Sequence, residues 1–152
     1  MRELEIRIAA YDEPAVRELL VEVLDELRQR YGGSGDDTPV DAAEFVAPNG
    51  ALFVVADGER LIASAGWRRH GADAELKRMF TTKAARGRGL GRRLLAVVEE
   101  SARAAGYRRV ILETGDRQPE AIALYESAGY ERIEDFGFYR DQPGVLSYGK
   151  VL

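Results

Sequence analysis

A short segment rich in glycine and arginine is the first place in this sequence where residue types and spacing suggest chemistry. Its residues are Arg86-Gly87-Arg88-Gly89-Leu90-Gly91. Three glycines in five residues let the backbone turn tightly and leave no β-carbon in the way of a ligand. A helix predicted to begin at Leu90 would point its unpaired backbone N–H groups and the positive end of its dipole at the same place. The segment therefore predicts a phosphate-binding loop.

The charge distribution supports an anionic ligand at this loop. Ten basic and two acidic residues lie between Lys77 and Arg109, which gives 10 − 2 = +8, whereas the whole chain carries 22 basic and 26 acidic residues and a net charge of −4. A compact basic segment in an acidic protein indicates one bound polyanion, and the alternative is a solvated helix face with unrelated arginines. Because the chain is acidic overall and the basic stretch has few aromatic residues, we expect no nucleic-acid partner.

Residue types exclude several other sites. The chain has no cysteine and a single histidine, His70, so thiolate and multi-histidine metal sites are excluded and we expect no metal. No lysine followed by serine or threonine ends the glycine run, which excludes a Walker loop. A dinucleotide fold, in which Glu113 would hold a ribose, needs its glycines directly after a strand, but here the stretch from Thr81 to Arg86 intervenes.

Length and hydropathy limit the architecture. A chain of 152 residues predicts one domain, residues 1–152. The longest apolar run, from Ala51 to Ala56, is far shorter than the ~20 residues of a membrane helix, and the N-terminus has no signal-peptide pattern. We therefore expect a cytoplasmic protein with no membrane partner.

Hydrophobic period and turn residues predict the elements that must position the loop. Helical spacing follows Pro14, and Asp57-Gly58 is typical of a hairpin turn. The predicted strands are 5–9, 51–56, 61–68, 74–82, 109–114, 130–133 and 145–151. The predicted helices begin at Pro14 and span 41–47, 90–105 and 121–128. The order is α+β, with a central βαβα unit. Trp67 is predicted in the core and His70 in a surface turn.

Four motifs at these spacings form a set. They are Met79-Phe80-Thr81, the pattern Arg86-x-x-Gly89-x-Gly91, the strand Val110-Ile111-Leu112-Glu113, and the helix Ala121-Ile122-Ala123-Leu124-Tyr125-Glu126-Ser127-Ala128-Gly129-Tyr130. Together they resemble the GNAT superfamily of acyl-CoA N-acyltransferases, from about Glu75 to Tyr130. The resemblance implies a three-layer α/β arrangement. Its central sheet is mixed and mostly antiparallel, with six to seven strands, a splayed central parallel pair and about four flanking helices.

The same resemblance implies acetyl-CoA as cosubstrate. The loop would cradle the pyrophosphate, and the strand before it would pair by backbone with the pantetheine amides and polarise the thioester carbonyl. Gln118 stands where the family commonly has an asparagine that touches coenzyme A. The implied cofactor-binding residues are Met79, Phe80, Thr81, Arg86, Gly87, Arg88, Gly89, Leu90, Gly91, Arg92 and Gln118.

The implied reaction is direct acetyl transfer to an amine. Tyr125 matches the family's proton donor to the leaving thiolate, and Glu113 matches a base position that would take the proton of the amine. Glu75, on the earlier strand, and a water chain are the rival bases. Tyr125 as a core aromatic and Glu113 as a salt-bridge partner of Arg78 are the structural alternatives.

The acceptor stays open at this point. The segments Tyr31–Phe45 and Phe136–Arg140 would hold a small amine or a peptide N-terminus. Acidic residues of the first segment, Asp36, Asp37, Asp41 and Glu44, would attract a cation or simply be solvated. A non-catalytic acyl-CoA-binding sensor or docking module is the alternative function, and a homodimer also stays open.

Overall fold

The computed structural model, which describes residues 4–32 and 38–152, contains a seven-stranded mixed sheet. The strands are β1 (Glu5–Ile8), β2 (Gly50–Asp57), β3 (Arg60–His70), β4 (Asp73–Thr81), β5 (Arg109–Gly115), β6 (Glu131–Arg132) and β7 (Val145–Val151). The α-helices are α1 (Pro14–Tyr31), α2 (Leu90–Ala104) and α3 (Pro119–Ser127), and short 3-10 helices span Ala42–Phe45 and Lys83–Ala85. The predicted α+β class is confirmed.

The sheet order is β1-β2-β3-β4-β5-β7-β6. Neighbouring strands are antiparallel except for β4 and β5, which are parallel. In the described part of the chain, no helix is long and apolar enough to cross a membrane.

Alternation along the strands sends neighbouring side chains to opposite faces of the sheet. Val55 packs in one core with the apolar stripe of α2, whereas Val54 packs in a second core with α1. Trp67 is buried with the α2 core, as predicted, and its Nε1–H donates to Ser101 Oγ on α2 at 2.9 Å. Helices α1 and α2 therefore cover the two faces of the sheet.

The two central parallel strands separate soon after they meet. β4 and β5 pair only at Ala74–Val110 and Glu75–Ile111. A register shift lies in β4 where it pairs with β3, and within it Arg78 has a φ of 58° and its carbonyl accepts from Ser64 Oγ at 2.7 Å. Such a bulge increases local twist and turns the strand. The splayed pair is thus confirmed.

A few boundaries differ from the sequence-based expectations. The helix predicted over 41–47 is a single 3-10 turn. A reciprocal capping box of Asp41 and Glu44 begins it, and it ends at Val46, whose backbone is extended two residues before Pro48. His70 is the last residue of β3 rather than part of the turn, which is made by Gly71 with a φ of 59°. The strand predicted over 130–133 pairs only at Glu131 and Arg132, so β6 is short.

Candidate active site

The glycine-rich segment forms one wall of a groove. Gly87 and Gly89 have φ values of 82° and 74°, a left-handed conformation that favours glycine, and α2 begins directly after them. At Gly91 a β-carbon would lie 3.2 Å from the Leu124 side chain, so glycine lets α2 approach α3. We call this space, about 340 Å³, the loop groove. Its walls come from four parts of the chain: Glu26, Leu27 and Arg30; Met79, Phe80 and Thr81; residues 85–87 and 89–92; and Gln118, Glu120, Ala121, Leu124 and Tyr125.

Two of the loop arginines have protein partners. The Arg86 guanidinium donates to the Glu26 carboxylate on α1 at 2.6 Å and to the Thr81 carbonyl at 3.3 Å. Arg92 donates to Ser127 Oγ at 2.6 Å. Arg88 is exposed. The contribution of α1 to the loop groove was missed by sequence reasoning, because Glu26 and Arg86 are 60 positions apart in the chain.

A second space lies where β4 and β5 separate. This strand cleft, about 100 Å³, is lined from β4 by residues 76–80, from β5 by residues 112–114, and also by Val23, Leu27, Gln118 and Tyr125. It shares Leu27, Met79, Phe80, Gln118 and Tyr125 with the loop groove. The two spaces therefore meet beside Tyr125.

Tyr125 has a buried ring and a hydroxyl that has no partner among the described residues. The residue is 6% exposed, and its ring lies 5.9 Å from that of Tyr130 and 6.4 Å from that of Tyr148, between centroids. Among the described residues its hydroxyl makes no hydrogen bond, and burial raises its pKa. The ring thus belongs to the core, as the structural alternative predicts, while the hydroxyl stays protonated where both spaces meet.

Glu113 lies at the other end of the strand cleft. It also lines a further space of about 340 Å³, the far cavity, whose other walls are Leu27, Tyr31, Lys77, Thr114, Gly115, Gln118, Tyr139 and residues 142–145. Glu113 Oε2 accepts from the Tyr139 backbone N–H at 3.0 Å, and Oε1 is buried with no partner in the described part of the chain. Burial raises the pKa of Glu113, an effect that the Tyr139 hydrogen bond and Lys77 oppose and that Glu75 and Asp135 reinforce.

The rival base, Glu75, is engaged elsewhere. Its side chain is fully buried, and its Oε1 accepts from Arg68 Nε at 3.0 Å and lies 3.9 Å from His70 Nδ1. Glu113, in contrast, takes part in no ion pair within residues 4–32 and 38–152. Glu75 is therefore held by Arg68, whereas Glu113 keeps one carboxylate oxygen without a hydrogen-bond partner in the described part of the chain.

The acidic residues expected near the acceptor have structural roles where the structure describes them. Asp41 accepts from the Ala43 backbone N–H at 3.0 Å, and Glu44 accepts from the Asp41 N–H at 2.8 Å and from Arg68 at 3.2 Å. Asp36 and Asp37 lie outside the described residues.

Comparisons with known proteins agree with this geometry. The sequence model of the Acetyltransferase (GNAT) family matches residues 19–130. An "IAA acetyltransferase" of Azospirillum brasilense is 34% identical over 148 residues, which cover 92% of this chain and 95% of that protein. An uncharacterized N-acetyltransferase of Escherichia coli is 45% identical over 60 residues, 40% of this chain and 36% of that protein.

Solved structures share the fold at low sequence identity. A Klebsiella pneumoniae protein described as an acyl-CoA N-acyltransferase superposes with a TM-score of 0.81 at 24% identity, over 98% of this chain and 97% of that one. A Bacillus anthracis protein described as a streptothricin acetyltransferase, solved in complex with acetyl-CoA, gives a TM-score of 0.65 at 19% identity, over 76% and 70% of the two chains. The chain belongs to the GNAT acetyltransferase family of acyl-CoA-dependent N-acyltransferases.

Proposed function

We propose that this protein transfers an acetyl group from acetyl-CoA directly to a primary amine of a small molecule or of a peptide N-terminus. The observation that carries the proposal is the continuity of the site. The loop groove and the strand cleft share Tyr125 as a wall residue, and the strand cleft and the far cavity share Glu113, so the three spaces are neighbours. A thioester that enters from one side can therefore meet an amine that enters from the other.

The loop groove fits the pyrophosphate and pantetheine of acetyl-CoA. Gly87 and Gly89 leave open space, with no atom within 4 Å of a β-carbon built at either. The first turn of α2 offers its free N–H groups there, and Arg86, Arg88 and Arg92 supply positive charge. Since the Arg86 guanidinium donates to Glu26, a bound pyrophosphate would compete with Glu26 for this guanidinium.

The open edge of β4 suits pantetheine. β5 pairs with β4 only as far as Glu75, so the β5-facing edge of residues 79–81 has no strand neighbour among the described residues. An extended chain with amide groups can add to such an edge as a further strand, with its carbonyls and N–H groups paired. Met79, Phe80 and Thr81 would bind acetyl-CoA in this way, and Gln118 lies beside them in the same groove.

Glu113 and Tyr125 supply the proton transfers of the proposed reaction. An ammonium group has no lone pair, so Glu113 would take its proton, directly or through water, before the nitrogen attacks the thioester carbonyl. Burial raises the pKa of Glu113 and so makes it a stronger base than an exposed carboxylate. As the carbon–sulfur bond breaks, the protonated Tyr125 hydroxyl would donate to the leaving thiolate, and the second proton of the acylated nitrogen would return to the Tyr125 oxygen, directly or through water, so that a neutral amide and CoA thiol leave the site.

A thiol-release screen with an amine library tests this proposal. Acetyl-CoA is mixed with the protein and with single amines from four classes: amino acids, polyamines, aminoglycosides and short peptides. Released CoA and the N-acetylated amine are both quantified. We expect at least one class to give both products, and Glu113→Gln to abolish or strongly reduce them. Binding of acetyl-CoA without transfer to any amine would contradict the proposal and support a non-catalytic binding module.

A further inference from the structure

Gly137 lies against the carboxylate of Glu113. A β-carbon built at this glycine would be 2.5 Å from Oε1, 2.6 Å from Cδ and 2.9 Å from Oε2 of Glu113, all closer than β-carbons come to other atoms. The backbone of Gly137 does not have a positive φ, so its conformation is open to any residue. A side chain at position 137 would therefore have to displace the Glu113 carboxylate, and the backbone conformation itself does not favour glycine.

The segment that carries Gly137 is held in place at several points. Asp135 accepts from Ser147 Oγ on β7 at 2.9 Å and from the Asp141 N–H at 3.1 Å. The Arg140 N–H donates to the Gly137 carbonyl at 3.1 Å, which closes a turn. Within this turn the Tyr139 N–H donates to Glu113 Oε2. Glu113 is thus covered by backbone on one side and hydrogen-bonded by backbone on another.

We propose that Gly137 is a positioning residue of the acetyl transfer, which lets the backbone of residues 137–139 cover and orient the Glu113 carboxylate. The proposal rests on the proposed function, in which Glu113 is the base. Because position 137 has no side chain, the segment can lie against the carboxylate. Glu113 Oε1 is buried there, and Oε2 accepts the Tyr139 hydrogen bond. A larger residue would have to push the carboxylate toward the far cavity or lift the segment off it.

Either displacement would expose Glu113 to water. Burial is the largest cause of its raised pKa, ahead of the charges that face it, which are Lys77 and Glu75 on β4 and Asp135 in the segment itself. The Tyr139 hydrogen bond, the second cause, lowers the pKa, so its loss would act in the opposite direction. Because hydration removes the largest cause, it would outweigh that loss and lower the pKa of Glu113. The base would become weaker and would be misplaced by about 1 Å, a displacement that can cost about 100-fold in rate.

Gly137→Ala tests the proposal, with the amine found in the screen as acceptor. We expect kcat to fall about 10- to 100-fold and the acidic limb of kcat/KM against pH to move to lower pH, while the KM for acetyl-CoA changes less than about twofold. The acidic limb of kcat/KM reports the pKa of the base in the free enzyme, and a merely structural defect would not move that pKa to a lower value. A limb that stays at the parent's pH, whatever happens to kcat, would overturn the proposal.

A double variant keeps the test informative where Gly137→Ala folds poorly. Glu113→Ala removes the atoms that the new β-carbon meets, so the loss of Tm caused by Gly137→Ala should disappear in the Glu113→Ala background. An equal loss of Tm in both backgrounds would overturn the contact. Failure of the proposed function gives a different result. A Glu113→Gln variant with the parent's kcat would refute Glu113 as the base, while the Tm comparison would still show whether position 137 contacts Glu113.

Discussion

The position of Gly89 allows a charge test of the phosphate-binding loop with a closely matched control. Gly89 is the N-cap of α2 with φ 74° and ψ 15°, and nothing lies within 4 Å of a β-carbon built there. Asparagine and aspartate both tolerate this left-handed conformation, have the same shape and differ in charge. Comparison of Gly89→Asp with Gly89→Asn therefore cancels the backbone strain and isolates the effect of one carboxylate.

The expected loss of affinity follows from Coulomb's law. With the new carboxylate about 5 Å from each phosphate and an effective dielectric constant of about 40 for this exposed loop, each repulsion costs about 1.7 kcal/mol. Two phosphate charges give about 3 kcal/mol, which is about 100-fold in Kd. In the free protein the sign is opposite, because an aspartate at a helix N-cap stabilises the helix by about 0.3–1 kcal/mol.

Thermal unfolding with and without CoA measures both effects. At a CoA concentration about 100 times the Kd of Gly89→Asn, that variant gains about 2.7 kcal/mol, whereas Gly89→Asp with a 100-fold weaker Kd gains about 0.4 kcal/mol. The Tm of the free Gly89→Asp variant should equal or exceed that of Gly89→Asn. Equal Tm shifts by CoA in the two variants would refute the assignment of this loop to the pyrophosphate.

Three further variants test the catalytic groups and the core. Tyr125→Phe removes the proposed proton donor and keeps the ring, so kcat measured by rapid-quench kinetics should fall at least tens-fold, while CoA affinity measured by calorimetry should stay nearly unchanged. Full kcat on a rate-limiting chemical step would exclude Tyr125 from the mechanism. A carboxyl whose pKa is raised in the folded state stabilises the protein below its unfolded pKa, and this stability is lost as pH rises through the folded pKa. Glu113→Gln should therefore have a higher Tm than the parent at pH 8 and a smaller Tm advantage at pH 4. A Tm difference that is the same at both pH values would contradict the raised pKa of Glu113. Ser101→Ala should lower the free energy of unfolding by about 1–3 kcal/mol in urea titrations, because it leaves the buried Trp67 N–H without its acceptor, and an unchanged midpoint would contradict that hydrogen bond.

Local signals in the sequence predicted most of the elements. Pro14 begins α1, Leu90 begins α2, and the hairpin turn expected at Asp57-Gly58 lies one residue later, at Gly58 and Glu59 between β2 and β3. First-turn prolines, apolar period and hairpin turns depend on residues close together in the chain. The glycine-rich loop was found in the same way, as residue types at fixed spacing, whereas Tyr125 was named as a site residue from the resemblance to the GNAT superfamily. The resemblance to the GNAT superfamily then predicted the splayed strands, which local pattern alone does not show.

Features that depend on distant parts of the chain were not predicted. The Arg86–Glu26 ion pair joins residues 60 positions apart, and the Gly137–Glu113 contact depends on how the segment before β7 folds over β5. The left-handed Arg78 in the β4 bulge has no local signal, because arginine rarely adopts a positive φ. Each of these arises from tertiary packing, which overrides the local preference of the residues involved.

The stoichiometry of a single reaction tests the central claim most directly. Acetyl-CoA, the protein and the best amine of the screen are incubated at a pH above the raised pKa of Glu113, and free CoA and N-acetylated amine are quantified in the same samples over time. Acetyl transfer to the amine predicts one acetylated amine for each CoA released, with both products strongly reduced in Glu113→Gln. CoA release that is unaffected by the amine, or an equal yield of acetylated amine from Glu113→Gln, would contradict the account.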